Sequence, residues 1–464
     1  MGATPGKLVP VDYDGRIAVT PNQEERLRAN GARKFLVMGN LRLSGMLNVT
    51  ALEESLIRLL SRHRYLGATF GLDSAGHYCT MQHAPHIRLR RMKVPDDIPV
   101  SGRYEAGLKL VSDVAGEPFN ILGEPLFRAV LIELSSTDHL LSITMDHVLS
   151  DGLSRDIVLQ DLIQLYRQAV GHEGGALPDS PFGFPDYATW LMNYLRGPAG
   201  SAAVKEWKDR LAGVGPIPHS RLMDPDAPGG EPRGACLGIS VKGSAKSRLG
   251  AALRSEHLTT GTLAAAALKV AVAGMRREQG DSDPGDVAIM ASAENRAVRE
   301  IRNAVGYFAT PITLRTDLTG NPTVLKSLKL MQETSFHALK HQQVPHSLLV
   351  QEMDASLYGV RHAADLDSAP PYVNFDHATI GTARTEKAGN LLISPFSLPN
   401  PSISIPRGGI RIQSLESAEE FRFEIYYRGD RYGSPWIQRM LERAGRFIDL
   451  AASAPWSPVE TVMG

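Results

Sequence analysis

Residues 145–154, Met145-Asp146-His147-Val148-Leu149-Ser150-Asp151-Gly152-Leu153-Ser154, hold the densest chemical information in the chain. The apolar stretch His139–Met145 leading into them reads as a strand, and Leu153–Val170 beyond them reads as a helix, with Gly152 breaking the chain between the two. Strand alternation sets Leu141, Ile143, Met145 and His147 on one face and Ser142, Thr144 and Asp146 on the other. His147 thus stands at the mouth of a strand, followed by a turn and the positive end of a helix. An imidazole held there accepts a proton from an attacking hydroxyl or amine at neutral pH. Asp151, in the turn, either orients that imidazole directly or pins the turn through an arginine. The competing reading is structural: a hydrogen-bonded strand-end histidine beside ordinary Asp-Gly turn chemistry. HxxxDG is a short pattern and leaves both readings open.

Outward from this centre, strands and helices alternate through the whole sequence. In the first half, Lys34–Gly45 and Leu126–Leu134 read as strands. Between them Leu52, Leu56, Leu59 and Leu60 fall at helical spacing behind the N-cap candidates Asn48 and Thr50. In the second half, strands are expected at Cys236–Val241, Val287–Ser292 and Phe421–Tyr427, and helices at Thr262–Met275, Val324–His341 and Trp436–Ala451. Gly171–Pro185 and Val214–Gly234 read as linkers. The class is α/β or α+β in two lobes, residues 1–185 carrying the histidine turn and residues 186–464 forming the second.

Composition narrows the function. The 464 residues contain 50 Lys+Arg against 50 Asp+Glu, so net charge gives no reason to expect nucleic acid or an anionic membrane as main partner. Hydrophobic residues make up 43% and charged residues 22%, which argues against wholesale disorder. Two cysteines, Cys79 and Cys236, without CxxC spacing, argue against thiolate zinc sites and disulfide frameworks. The N-terminus lacks the apolar core of a signal peptide, and no 18-residue apolar run follows, so a soluble cytoplasmic protein is expected. Gly2 resembles a myristoylation start, but Gly6 stands where that motif needs Ser or Thr. HExxH, the GxSxG elbow, GxxxxGK[ST] and a strand-borne GxGxxG are all missing, so catalysis would rest on a histidine and on positioning. No metal is expected: His63, His337, His341 and His346 have no ligand spacing. Trp190 and Trp207 read as packing residues. Gly71-Leu72-Asp73-Ser74 is faintly similar to a carrier-protein serine site, but reads as a loop.

With these blocks in view, the sequence resembles the condensation-domain family of nonribosomal peptide synthesis, within the chloramphenicol-acetyltransferase-like superfamily. That family's HHxxxDG signature is matched by Asp146–Gly152 with its first His replaced. Val19–Glu24 resembles the S-x-A-Q block, Arg62–Phe70 RHxxLRTxF, and Glu124–Arg128 the PLxR strand. Phe184–Trp190 resembles YxDYAxW, Val305–Arg315 VGPFVNTLPLR, and His341–Pro345 HQDVP.

The resemblance implies two chloramphenicol-acetyltransferase-like lobes in a V around a central tunnel, with His147 near its middle. A phosphopantetheine-borne acyl donor from a carrier protein would enter one end and an amine or alcohol acceptor the other, with no permanently bound cofactor. His147 would remove or steer the acceptor's proton. Asp151 would be structural, paired with an arginine for which Arg62 is the candidate; Asp146, Gly152 and Ser154 would support the turn. Tyr307, Asn374, Asp376 and His377 are tunnel candidates, the last three alternatively an ordinary strand end. The Pro-rich stretch Ser394–Pro406, with Ser394, Ser397 and Ser402, would be a crossover loop of the second lobe or a surface loop.

Four departures qualify the resemblance. Asp146, Asp151 and Ser154 also satisfy DxxxxDxxS, the heterocyclisation signature, although His147 favours plain condensation. Gly67 replaces a usual Arg, and Ala309-Thr310-Pro311 replaces VNT. Without attached adenylation or carrier domains, a free-standing enzyme is expected. The expectation is therefore an amide- or ester-forming acyltransferase of natural-product biosynthesis. Its alternatives are an acyl-CoA-dependent acyltransferase, a heterocyclisation-type enzyme, and a non-catalytic platform that recruits another enzyme to a carrier protein.

Overall fold

Two six-stranded sheets, each covered by helices, organise the chain. The computed structural model describes residues 8–11, 15–29, 36–81, 88–172, 175–178, 182–296, 298–360, 371–379, 385–398, 406 and 408–463. Gly2, Gly6 and Ser402 lie outside the described residues.

The first half runs through β1 (Ile17–Ala18), α1 (Pro21–Arg28), β2 (Leu36–Ser44), α2 (Val49–Arg62), β3 (Ala68–Asp73), β4 (Gly76–Met81) and β5 (Leu89–Lys93). It continues with α3 (Arg103–Ala115), β6 (Phe127–Ser135), β7 (Asp138–Asp146) and α4 (Gly152–Ala169). Helices α5 (Phe184–Arg196) and α6 (Pro198–Leu211) lead, after an irregular stretch, to β8 (Gly234–Lys242), α7 (Gly243–Ser255), α8 (Thr260–Glu278), β9 (Asp286–Ala293) and β10 (Thr310–Asp317). Then come α9 (Val324–Lys340), α10 (His346–Met353), β11 (Tyr372–Thr379), β12 (Glu386–Ala388) and β13 (Leu391–Pro395). The chain closes with β14 (Gly409–Glu416), β15 (Glu420–Arg428), α11 (Ser434–Ser453) and α12 (Glu460–Met463).

The first sheet has the order β12-β13-β2-β7-β6-β5. Its central strand β7 is buried from His139 to Asp146, which is why its sequence is nearly continuously apolar instead of alternating with charges. One face places Leu141, Ile143 and Met145 against Leu56 and Leu59 of α2 and Val158 and Leu162 of α4. On the other, Leu140 meets Leu108, Val111 and Val114 of α3. Asn48 starts α2 as its cap, its side chain accepting from the Ala51 N–H at 3.0 Å. The Gly71–Ser74 stretch is the end of β3 and its turn into β4.

The second sheet has the order β10-β9-β11-β14-β15-β8. Alanines let α8 sit close against it: Ala264, Ala265, Ala266 and Ala267 are all buried among Ile289, Ile412, Phe423 and Phe447. Trp190 and Trp207 are buried packing residues. Among the described residues, no single helix is long and apolar enough to cross a membrane.

One connection crosses between the halves. Residues 399–405 of the Pro-rich stretch lie outside the described residues. Ser394 lies in β13, which pairs antiparallel with β2 of the first sheet, Ser394 opposite Arg42. Leu391 and Ile393 are drawn there by the first apolar core, which buries them. Ser397, just beyond, is exposed.

Candidate active site

Between β7 and α4 the chain turns at residues 147–151, and from His139 to Asp151 every residue is buried except His147, which is half-buried. Its ring meets the buried Tyr307 edge-on, with centroids 4.7 Å apart. The backbone on either side is fixed by two arginine–carboxylate pairs.

At the entry, Asp146 Oδ2 pairs with Arg26 Nη2 of α1 at 2.9 Å, with side chains only 4% and 2% exposed. Oδ1 of the same carboxylate accepts the Val148 N–H at 2.9 Å, and the Asp146 carbonyl accepts from the Leu149 N–H at 3.0 Å. Burial pushes the Asp146 carboxyl above its ordinary range, against the pull of Arg26 and the Val148 N–H. Gln23, also on α1, donates through Nε2 to the Val148 carbonyl at 2.9 Å.

At the exit, Asp151 is the N-cap of α4. Its Oδ1 accepts the Ser154 N–H at 2.8 Å and Arg296 Nη2 at 2.9 Å. Its Oδ2 accepts the N–H groups of Phe308 and Ala309, each at 3.1 Å. Ser154 Oγ lies 2.7 Å from Asp151 Oδ1 and 2.8 Å from the Gly306 carbonyl, its one proton serving one of the two, and accepts the Gly306 N–H at 3.0 Å. Arg296 is further held by the carbonyls of Ile301 at 3.2 Å and Ala304 at 2.6 Å, its guanidinium 4.0 Å from the Phe308 ring centre. The hydrogen bonds of Asp151 fasten the turn to the second half of the chain. Gly152 is exposed and opens α4.

The arginine expected for Asp151 is corrected. Arg62 instead donates through Nε to Asp161 at 2.7 Å and through Nη2 to the Pro178 carbonyl. His63 Nε2 shares that carboxylate at 2.7 Å. Burial alone would raise Asp161, but the bonds from His63 and Arg62 outweigh it and lower its pKa. The reason is geometric: α2 ends beside the middle of α4, and Asp161 lies about 15 Å of helix beyond Asp151. Arg296 and Arg26 were missed by sequence reasoning. The only signal for Arg296 is its place just past the strand expected at Val287–Ser292; that for Arg26 is its closeness to the Val19–Glu24 block.

Alternation along β11 divides Asn374, Asp376 and His377. His377 shares the face of the core residues Val373 and Phe375, beside Gly261 of α8, and its Nδ1 lies 2.8 Å from Ser414 Oγ. Asp376 lies on the opposite face, where its Oδ1 accepts from Ser292 Oγ at 2.8 Å and its Oδ2 from Arg411 Nε at 2.9 Å. Asn374 joins Asp376 there through a 3.4 Å bond. No group of three or more His, Cys, Asp or Glu able to hold a metal ion occurs among the described residues.

The arrangement presents one imidazole at the accessible point of a rigid turn, which suits proton transfer to or from a bound reactant. Known proteins give this geometry a context. Residues 17–463 match the family model described as Condensation domain. A linear gramicidin synthase of Brevibacillus parabrevis is 26% identical over 467 residues, covering 99% of this chain and 6% of that protein. The chain spans less than a tenth of the length of the gramicidin synthases it matches, 6% to 8%. The X-domain solved in complex with OxyB from teicoplanin biosynthesis has a TM-score of 0.76 at 21% identity, covering 100% of this chain and 99% of that one. The first condensation domain of the calcium-dependent antibiotic synthetase, solved with a substrate analogue, has a TM-score of 0.69 at 16% identity, covering 97% and 99%. The two-lobed fold of these structures is the fold found here. Matched by one family model over residues 17–463, the chain belongs to the condensation-domain family.

Proposed function

We propose that the chain joins a carrier-protein-bound acyl or aminoacyl thioester to an amine or alcohol acceptor, forming an amide or ester in natural-product biosynthesis. The observation that carries this reading is the half-buried His147 ring on a turn otherwise wholly buried and fixed at both ends. In the reaction the acceptor nitrogen or oxygen attacks the thioester carbonyl, the new C–N or C–O bond forms, and the C–S bond breaks. The acceptor's proton passes by way of His147 to the departing pantetheine thiolate. General acid–base help of this kind is worth about 10²–10⁴-fold; holding donor and acceptor in line supplies the larger part. Asp151, Gly152 and Ser154 hold the turn, Tyr307 packs against the ring, and Asn374 and Asp376 are proposed to line the substrate path.

The test is product formation by the purified chain from an acyl-loaded carrier protein and a panel of amines and alcohols, followed by mass spectrometry. His147→Ala is expected to lose about 100-fold or more in rate; an unchanged rate sinks the reading. Turnover of acyl-CoA but not the loaded carrier assigns the CoA-dependent alternative, and a product lighter by one water assigns heterocyclisation.

A second reading, a platform recruiting another enzyme to a carrier protein, draws on two observations. Asp146 stands where the signature has its first His, and the X-domain, similar in fold, is solved with OxyB bound. Retention of full function in the producing cell by His147→Ala, with partner binding intact, would select it.

A further inference from the structure

We propose that Arg26 and Asp146 form the positioning pair of the His147 imidazole, standing in this chain where the signature has its first histidine. The inference rests on the acyl-transfer reading for its effect on rate, but its geometry stands apart from it. Helix α1 opens with a capping box: Gln23 N–H donates to Thr20 Oγ1 at 3.4 Å, and Thr20 N–H donates to Gln23 Oε1 at 3.0 Å. The helix then buries Asn22, Gln23, Glu25 and Arg26. Four polar residues on so short a helix would be costly to bury without partners.

Two of them hold the backbone around His147. Arg26 fixes the Asp146 carboxylate, which accepts the Val148 N–H, and Gln23 takes the Val148 carbonyl. The Asp146 side chain just before His147 and the two peptide groups just after it are thereby tied to one helix, which constrains the direction of the His147 Cα–Cβ bond. The other two tie that helix to the second half. Asn22 Nδ2 donates to Thr310 Oγ1 at 3.2 Å, and Ser347 Oγ donates to Asn22 Oδ1 at 2.9 Å. Glu25 Oε1 accepts the Gly359 N–H at 3.2 Å. The imidazole is thus referenced to the second half of the chain through α1 as well as through Asp151.

A histidine at 146 cannot replace this carboxylate. It has no anionic oxygen to face Arg26 while another accepts the Val148 N–H, and the buried Arg26 would lose the carboxylate it pairs with here. Restoring the family signature here is therefore expected to do harm, which a change at Arg26 relieves.

The experiment labels histidine rings in the full chain and assigns the His147 resonance with His147→Ala. Asp146→His and the milder Asp146→Asn, which keeps an oxygen acceptor, are each expected to displace that resonance. Asp146→His should also cut kcat about tenfold with the donor KM within about twofold, and Arg26→Met/Asp146→His should recover most of that loss. Arg62→Met, which breaks the remote Asp161 pair, should lower the thermal midpoint and leave the His147 resonance in place. An unmoved resonance in both Asp146 variants, or a double variant no better than Asp146→His alone in midpoint and rate, overturns the proposal. Should Asp146→His not fold, the resonance of Asp146→Asn decides. Should the parent show no acyl transfer at all, the functional reading falls, while resonance and midpoint still decide the pair.

Discussion

Asp151 and Arg296 meet from chain positions 145 residues apart, each side chain 3% exposed, so removal of one strands the other as a buried charge. Arg296→Met is expected to cost about 3–5 kcal/mol, read from the urea midpoint at unchanged slope; a loss under about 1 kcal/mol would contradict the clamp. His147 and Asp151 are legible in the sequence because strand, turn and helix signals converge on six residues. Their arginines are not. Partner choice across such a separation is set by how the sheets dock, and Arg62 illustrates the failure: it is the right residue type, paired with a carboxylate of α4 ten residues past the expected one. The loop that meets Asp151 is equally sensitive. A Cβ on Gly306 would lie 2.2 Å from Phe184 Cδ2 in a fully packed aromatic cluster. Gly306→Ala should therefore shift the Phe308 and Ala309 donors, costing about 1–3 kcal/mol by denaturation and lowering activity with it.

Elements with a clear period or cap are the ones the sequence announces. Trp436, Met440, Ala444, Phe447 and Ala451 of α11 are all buried, as their spacing requires, and Asn48 caps α2. Asn48→Ala should cost about 1 kcal/mol and Asn48→Asp much less, by the same denaturation measurement. Helix α7 escapes notice because only Leu249 and Leu253 are buried on it, too few to make a stripe. Strand β13 escapes because five residues ending in proline carry no sign of which sheet they join. Helix α1 shows a third kind of silence: its burial is polar, and no hydrophobic pattern marks it.

At the scale of the molecule, the second core holds a lysine. Lys269 on α8 is 1% exposed, with Nζ 2.8 Å from the Leu314 carbonyl and 2.6 Å from Thr316 Oγ1. Burial pushes its ammonium well below the ordinary lysine range, against a pull from Asp286. Between that lowered value and the unfolded value near 10.4, the unfolded chain holds the extra proton, so stability rises with pH. The unfolding free energy of the parent should therefore gain on that of Lys269→Met as pH climbs from neutral toward that value, followed by urea titration at each pH; a constant difference would show that the lysine does not titrate on unfolding. The strand exchange between the halves bears on biogenesis. Among the described residues, Leu36–Ser44 is flanked on one side by Asp138–Asp146 and on the other by Leu391–Pro395. On the ribosome, the first sheet must therefore wait with a bare hydrogen-bonding rim until residues 391–395 have emerged, a sticky nascent state that invites chaperones and makes products terminated before them prone to aggregate.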